Sequence, residues 1–140
     1  MELQVKRLEK SVSLPSIAKK GDAGFDLQCN ETIELLPGER KTVSTGLQIA
    51  VPENHVGIIK DRGSVSLQKG LHCLAGVFDT GYRGEWKIVM ANLGKEKVTL
   101  EKGMRFCQAI ILPLAPVTVV EVKELNETER SHTGFGSSGE

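Results

Sequence analysis

The apolar stretches of this chain are short, and glycine, proline or charged residues close each of them. Breaks such as Pro37–Gly38 and Pro52–Asn54 recur at the intervals typical of β-sandwiches and barrels. Within the stretches, apolar and polar side chains often alternate, as they do in strands that bury one face. The pattern therefore predicts an all-β chain in place of a few long helices.

The predicted strands cover most of the first 120 positions. Leu71–Ala75 is predicted to be one arm of a hairpin that continues to Phe78. The other predicted strands are Leu3–Leu8, Phe25–Leu27, Ile33–Leu35, Val43–Val51, Val56–Ile59, Trp86–Met90, Phe106–Leu112 and Val117–Val120.

Two of the later strands are apolar on both faces. Val89, Ala109 and Ile111 occupy positions where a one-sided sheet would carry polar residues. A second sheet or another subunit would bury them. Aromatic residues make up only 4% of the chain, which limits the core of one protomer, so we expect a symmetric oligomer.

Length and charge restrict the classes of function. A chain of 140 residues fits a single domain. Its 18 basic and 18 acidic residues leave no net charge, so neither nucleic acid nor a membrane is an expected partner. No apolar run approaches membrane-spanning length. Three widely spaced cysteines, and a start unlike a signal peptide, predict a reduced, cytoplasmic protein.

The chain is predicted to have three parts: a β domain in residues 1–120, a charged tether in 121–129 and a mobile glycine-rich lid in 130–140. Glycines in the lid let backbone N–H groups converge on an anion, and Arg130 adds donors. Phe135 offers a flat face on which a nucleobase could stack. The alternative is a flexible terminus without function.

Two polar segments follow or begin predicted strands. Asp26 comes after two small residues, where a carboxylate could orient a metal-bound water or cap a turn. Arg62 follows an apolar strand, and its planar guanidinium suits phosphate oxygens, while Gly63 lets backbone donors approach. The alternative for this second segment is an exposed ion pair between Asp61 and Arg62.

The densest group of candidate residues lies between Gly76 and Glu85. Asp79 could activate a water, and a carboxylate acting near a triphosphate would need a metal ion to reduce repulsion. Tyr82 could pack against a sugar or serve only as a structural residue at a β-turn. Gln108 needs a partner if its amide is buried, and an edge or interface hydrogen bond would also explain it.

In this order, the segments around Asp26, Arg62, Asp79 and Gln108 and the C-terminal tail resemble the motifs of the homotrimeric dUTP pyrophosphatase (dUTPase) family, from Ala23 to Gly139. The resemblance implies an antiparallel jelly-roll-like β fold and a homotrimer. It also implies active sites at subunit interfaces, each completed by the tail of the third subunit.

The resemblance further implies a reaction in which Asp79 positions and deprotonates the water that attacks the α-phosphorus of dUTP. The products are dUMP and pyrophosphate, a reaction that limits uracil incorporation into DNA and supplies dUMP for thymidylate synthesis. Tyr82 would pack under deoxyribose and exclude a 2′-hydroxyl. Asp26 would contact waters of a Mg²⁺ ion that spans the triphosphate.

The remaining implied roles concern phosphates and uracil. Backbone groups of the Leu71–Phe78 hairpin, including Gly76, would recognise uracil, and Phe135 would stack on it beside Gly136. The family usually has serine directly after the motif arginine, whereas this chain has Gly63 there and serine next. The implied phosphate ligands are Arg62, Ser64, Gln108, Arg130, Ser137 and Ser138.

Two other functions are weighed against this one. The related dCTP deaminases carry a catalytic glutamate on the strand after the tyrosine turn, and that position is Val89 here. The other alternative is a deoxynucleotide-binding trimer without turnover.

Overall fold

The computed structural model describes residues 1–128. Within that range the chain forms ten strands and one short helix, which confirms the predicted all-β class. The elements in chain order are β1 (Gln4–Arg7), β2 (Phe25–Gln28), β3 (Ile33–Leu35), β4 (Arg40–Ala50), β5 (His55–Asp61), α1 (Gly63–Lys69), β6 (Leu71–Leu74), β7 (Val77–Phe78), β8 (Glu85–Asn92), β9 (Val98–Leu100) and β10 (Arg105–Pro113).

The strands form two four-stranded sheets and a two-stranded ribbon. The first sheet has the order β1-β4-β8-β6, the second has the order β2-β10-β5-β7, and β3 pairs with β9. All of these pairs are antiparallel. The second sheet positions three of the predicted site residues, because β2 carries Asp26, β10 carries Gln108 and Arg62 directly follows β5.

The core is formed by large apolar side chains of both sheets. Trp86 on β8 and Phe106 on β10 are fully buried. Ala109 is also fully buried, whereas Val89 and Ile111 are half-buried. Part of the two-sided apolar surface that the sequence predicts is therefore buried within the chain.

The predicted Leu71–Phe78 hairpin is wrong. β6 pairs with β8 in the first sheet, while β7 pairs with β5 in the second. Ala75 and Gly76 join the two strands with φ values of 58° and 92°, a conformation that reverses the chain between sheets. Local sequence predicts two neighbouring strands but not that their hydrogen-bonding partners lie in different sheets.

Three other segments also differ from expectation, and the first is β9, a strand that the sequence analysis does not predict. Gly63–Lys69 is an α-helix where the sequence predicts a loop, and it ends at Gly70, whose φ is 65° and whose N–H donates to Ser66 O. Val117–Val120 is predicted as a strand but has no strand partner among the described residues. Its valines are exposed, with Val119 at 92%. No helix in the described part of the chain has the length and apolar character needed to cross a membrane.

Candidate functional site

Arg62 lies at the junction of β5 and α1, where it is the N-cap residue of the helix. Its Nε donates to Asp26 Oδ1 on β2 at 2.9 Å, and its Nη1 donates to the carbonyl oxygen of Arg105 at 3.3 Å. Arg105 Nη1 lies 3.5 Å from the other oxygen of Asp26. The expected alternative, a local ion pair between Asp61 and Arg62, is wrong because each residue has a different partner.

We call Asp26, Arg62, Arg105 and Gln108 the Arg62 cluster. One carboxylate lies between two guanidinium groups, so these side chains carry a net positive charge. The side chains of Arg62 and Asp26 are only 28% and 24% exposed, which reduces screening by water. A polar, positively charged and partly sheltered cluster of this kind suits phosphate oxygens. Sequence reasoning missed Arg105, although its position at the start of β10 was a usable signal.

Gln108 belongs to the same cluster because it lies opposite Asp26 in the β10–β2 ladder. Its Nε2 donates to the backbone oxygen of Asp61 at 2.9 Å. The half-buried amide of Gln108 therefore has its hydrogen-bond acceptor within the chain, on the neighbouring strand β5.

Asp61 is a second residue that sequence reasoning did not assign. Its carboxylate accepts a hydrogen bond from the N–H of Cys73 at 2.6 Å and lies 2.7 Å from His72 Nδ1. Burial alone would raise the pKa of Asp61, but the His72 and Cys73 hydrogen bonds outweigh it and lower that pKa below its ordinary value. These contacts join the end of β5 to β6. Partners 11 and 12 positions away give no local sequence signal.

Gly63 and Ser64 form the first turn of α1, and both are exposed. A Cβ atom added at Gly63 would meet no atom within 4 Å. A serine side chain at this position would therefore fit without a clash. Ser64 follows Arg62 by two positions and is exposed, so its hydroxyl is accessible to a ligand.

Asp79 and Tyr82 lie in the turn between β7 and β8. The N–H of Tyr82 donates to Asp79 O at 3.1 Å, which closes the turn, and the Asp79 side chain is exposed. Thr80 Oγ1 donates to His55 O at 3.0 Å. The turn is thereby attached to the first residue of β5.

Tyr82 is held on several sides but keeps 43% of its surface exposed. Its hydroxyl donates to Glu85 O at 3.0 Å, and its ring lies against Gly84, where a Cβ would approach Tyr82 Cζ to 2.6 Å. Its ring centroid is 5.8 Å from that of Phe78. Tyr82 is therefore both a structural residue of the turn and a flat exposed surface.

Gly76 lies close to the middle of β5. Its carbonyl accepts a hydrogen bond from the N–H of Ile59 at 2.8 Å, and a Cβ at Gly76 would lie 2.9 Å from Ile59 Cβ. The close approach of the two backbones and the positive φ both require glycine here.

The predicted site residues form two separate groups in one chain. Asp79 and Tyr82 are near His55 at the start of β5, and Arg62, Ser64 and Gln108 are near its end. Six residue steps along a strand span about 20 Å, so on one chain the two groups lie at opposite ends of β5 and do not surround a common point. The predicted lid residues Arg130, Phe135, Gly136, Ser137 and Ser138 lie outside the described residues.

Asp26 is the predicted metal-binding residue, and its surroundings fit an indirect contact. Within residues 1–128 no group of three or more His, Cys, Asp or Glu side chains could hold an ion. Mg²⁺ commonly uses one or two carboxylates, several waters and substrate phosphates instead of an all-protein cage. Asp26 already accepts from Arg62, so contact through water suits it better than direct coordination.

Comparison with known proteins identifies the family of this chain. The family model for dUTPase matches residues 10–139. Curated relatives include the deoxyuridine 5′-triphosphate nucleotidohydrolases of Clostridium kluyveri, 45% identical, and of Hydrogenobaculum sp. Y04AAS1, 42% identical. In each case the alignment covers 99% of this chain and 99% of the relative.

Solved structures give the same result. A dUTPase mutant of Staphylococcus bacteriophage 80alpha with dUpNHpp has a TM-score of 0.92 and 30% identity, covering 99% of this chain and 98% of the other. A mutant dUTPase from phage phi11 of S. aureus, described with a structural Mg(II) ion, has a TM-score of 0.84 and 25% identity, covering 91% and 100%. The present chain belongs to the dUTPase family.

Proposed function

We propose that the protein hydrolyses dUTP to dUMP and pyrophosphate, with Mg²⁺ as cofactor. One observation carries the proposal: a positively charged cluster and an exposed aspartate–tyrosine turn lie at opposite ends of β5 in a chain of the dUTPase family. The first group suits the phosphates, and the second suits the attacking water and the sugar. Two copies of the chain would bring the groups together.

Asp79 is the proposed general base. Its exposed carboxylate takes a proton from water while the water oxygen attacks the α-phosphorus. The bond from the α-phosphorus to the oxygen that bridges the α- and β-phosphates breaks, and pyrophosphate leaves. The β-turn closed by Tyr82 N–H keeps the carboxylate beside the strand end.

Arg62, Ser64 and Gln108 are the proposed phosphate ligands of the facing subunit. Arg62 is prepared for this role because Asp26 fixes its Nε side. Asp26 would hold waters of the Mg²⁺ ion. When bound, Mg²⁺ neutralises triphosphate charge next to a carboxylate base.

Tyr82 and the Leu71–Phe78 segment are proposed to select deoxyuridine. The exposed ring of Tyr82 would pack under deoxyribose, where a 2′-hydroxyl would clash and lose its hydrogen bonds to water. Backbone groups around Gly76 would recognise uracil. In the proposed lid, Phe135 and Gly136 cover uracil, and the distal phosphate is bound by Arg130, Ser137 and Ser138.

A homotrimer is the proposed assembly. The placement of the two groups at opposite ends of β5, about 20 Å of strand apart, supports sites shared between subunits. So does the exposed segment 114–125, which is rich in β-branched and apolar residues yet has no strand partner in the described chain. Such a segment is stabilised by burial against another copy.

We also propose that the enzyme acts in the cytoplasm, where it removes dUTP before polymerases can use it. Three buried free thiols, Cys29, Cys73 and Cys107, support a reducing compartment. The proposed product, dUMP, is the precursor of thymidylate.

The test is product analysis with purified protein, Mg²⁺ and equimolar dUTP, dCTP, UTP and dTTP in separate reactions. Selective formation of dUMP and pyrophosphate from dUTP is expected. Ammonia release from dCTP would indicate a deaminase instead. Binding of dUTP without any product would support a non-catalytic trimer and would contradict the proposed reaction.

A further inference from the structure

The ring of Tyr82 rests on two further aromatic residues. Phe78 lies between Tyr82 and Trp86: its ring centroid is 4.1 Å from that of Trp86 at an interplanar angle of 9°, and 5.8 Å from that of Tyr82 at 49°. Trp86 is fully buried. The three rings form a continuous aromatic row, which we call the aromatic stack, from the protein core to the surface.

The surrounding backbone is shaped to accept the aromatic stack. Gly57 on β5 lies opposite Phe78 in the ladder, and a Cβ at Gly57 would approach Trp86 Cη2 to 2.6 Å and Phe78 Cβ to 3.3 Å. At the surface end, Gly84 leaves room for the face of Tyr82. Both ends of the aromatic stack therefore depend on a position without a side chain.

The hydroxyl of Tyr82 is fixed from the same strand that carries Trp86. It donates to the carbonyl of Glu85, and the Glu85 carboxylate in turn accepts hydrogen bonds from the N–H of Gly46, at 2.9 Å, and from Ser44 Oγ. Tyr82 is thus held at its hydroxyl by β8 and at its ring by Phe78. Its remaining freedom is a tilt about the line between these two contacts.

We propose that Phe78, supported by Trp86, is a positioning residue that sets the tilt of Tyr82 and thereby the discrimination between deoxyribose and ribose. This inference rests on the proposed function of Tyr82 as the surface under the sugar. A change in the tilt of the ring would move the surface that is proposed to lie under the sugar. Loosening the aromatic stack is therefore expected to admit the 2′-hydroxyl before it affects phosphate binding.

The experiment is a double-mutant cycle with Phe78→Leu and Tyr82→Ala. For each protein, kcat and KM are measured with dUTP and UTP, and dUMP and UMP binding is measured by calorimetry. From the usual contribution of one aromatic pair, Phe78→Leu is expected to lose about twofold to tenfold of its preference for dUTP. In the Tyr82→Ala background the same substitution is expected to leave the preference unchanged.

Phe106→Leu is the matched control. It is the same chemical change at a fully buried position on β10, so it tests for a general loss of stability. It is expected to lower the unfolding midpoint without changing the ratio of dUTP to UTP hydrolysis.

Three results would overturn the positioning role. The first is an unchanged preference for dUTP over UTP in Phe78→Leu. The second is an equal loss of that preference when Phe78→Leu is made in the wild-type and in the Tyr82→Ala protein. The third is an equal fall in kcat for both nucleotides, which would indicate an effect on Asp79. If the unsubstituted protein binds but does not hydrolyse dUTP, the proposed function fails, and the ratio of dUMP to UMP affinities still decides the role of Phe78.

Discussion

Arg62 and Asp26 are 36 positions apart in sequence, yet Arg62 Nε lies 2.9 Å from Asp26 Oδ1. The contact connects the end of β5 to β2. Because both side chains are about one-quarter exposed, the pair contributes more through orientation than through stability. The contact fixes the Nε edge of the Arg62 guanidinium group. It therefore also sets the orientation of the other N–H groups, which are proposed to bind phosphate.

Arg62→Lys should therefore reduce activity even though the charge is kept. Lysine lacks the planar fork that can contact Asp26 and a phosphate together. We expect kcat/KM for dUTP to fall about 10- to 100-fold, or roughly 1.4–2.8 kcal/mol, in steady-state measurements. Arg7→Lys is the control, since Arg7 bonds only to backbone oxygens near β1. Equal losses in the two variants would contradict the role of Arg62.

Asp79→Asn should remove the proposed general base while leaving the proposed ligand site intact. Asp79 is exposed, so the fold should not depend on its charge. Turnover is expected to fall by about 10²- to 10⁴-fold, measured as pyrophosphate release. Calorimetric binding of the non-hydrolysable analogue dUpNHpp should change little. Loss of binding together with turnover would indicate a structural role instead.

Gly63→Ser should stabilise the protein. The position has open space and no positive φ, so a side chain there restricts mainly the unfolded chain. We expect the free energy of unfolding to rise by about 0.5–1 kcal/mol in urea titrations, with activity kept or increased. Gly70→Ala is the contrasting variant, because its φ is 65° and a Cβ would lie 2.8 Å from Gly94 N. It should destabilise the protein, and stabilisation there would refute the argument.

Glu85 should make stability depend on pH in the acid range. Burial raises its pKa, but hydrogen bonds from Ser44 and Gly46 outweigh burial and hold the pKa below the ordinary value of 4.5. A depressed folded-state pKa gives stability that is present above the unfolded-state pKa and is lost as the pH falls through the folded one. The stability difference between wild type and Glu85→Gln, from urea unfolding, should be largest at neutral pH and shrink below about pH 4.5. A constant difference would exclude this linkage.

Val119→Asp should weaken the proposed trimer. Val119 is 92% exposed in the described chain, so a charge there costs little in the monomer but is unfavourable in an apolar interface. Sedimentation at micromolar concentration should show a shift toward monomer. Val119→Thr keeps the β-branched shape and should retain the assembly better. A monomeric wild type would remove the basis for the trimer.

The local pattern of apolar and polar residues was sufficient to predict most strands. Alternation and turn residues are signals that span only a few positions. The pattern predicted β2, β4, β8 and β10 with bounds close to those observed. It missed α1 because a helix of seven residues that begins at Gly63 and is followed by Gly70 is too short to show a helical pattern. The hairpin from Leu71 to Phe78 failed because strand pairing is decided by distant residues.

The sequence was sufficient to predict which segments contribute to the candidate site. It was not sufficient to predict how their side chains are arranged around one another. Asp26, Arg62 and Gln108 could be selected from the resemblance to a family, and they lie together in the structure. The contributions of Arg105 and Asp61 depend on partners in other strands. The Arg105 contact to Asp26 lies within the second sheet, whereas the contacts of Asp61 connect the second sheet to β6 of the first.

The position of the two groups at opposite ends of β5 has a genetic consequence. Under the proposed sharing of sites, each subunit supplies one half to each of two different sites. A chain defective at Asp79 and a chain defective at Arg62 would then restore some activity when they assemble together, because some interfaces combine two intact halves. Two chains defective in the same half could not complement each other. In a cell that also makes the wild-type chain, either defective chain would lower the activity of the mixed assemblies that it joins.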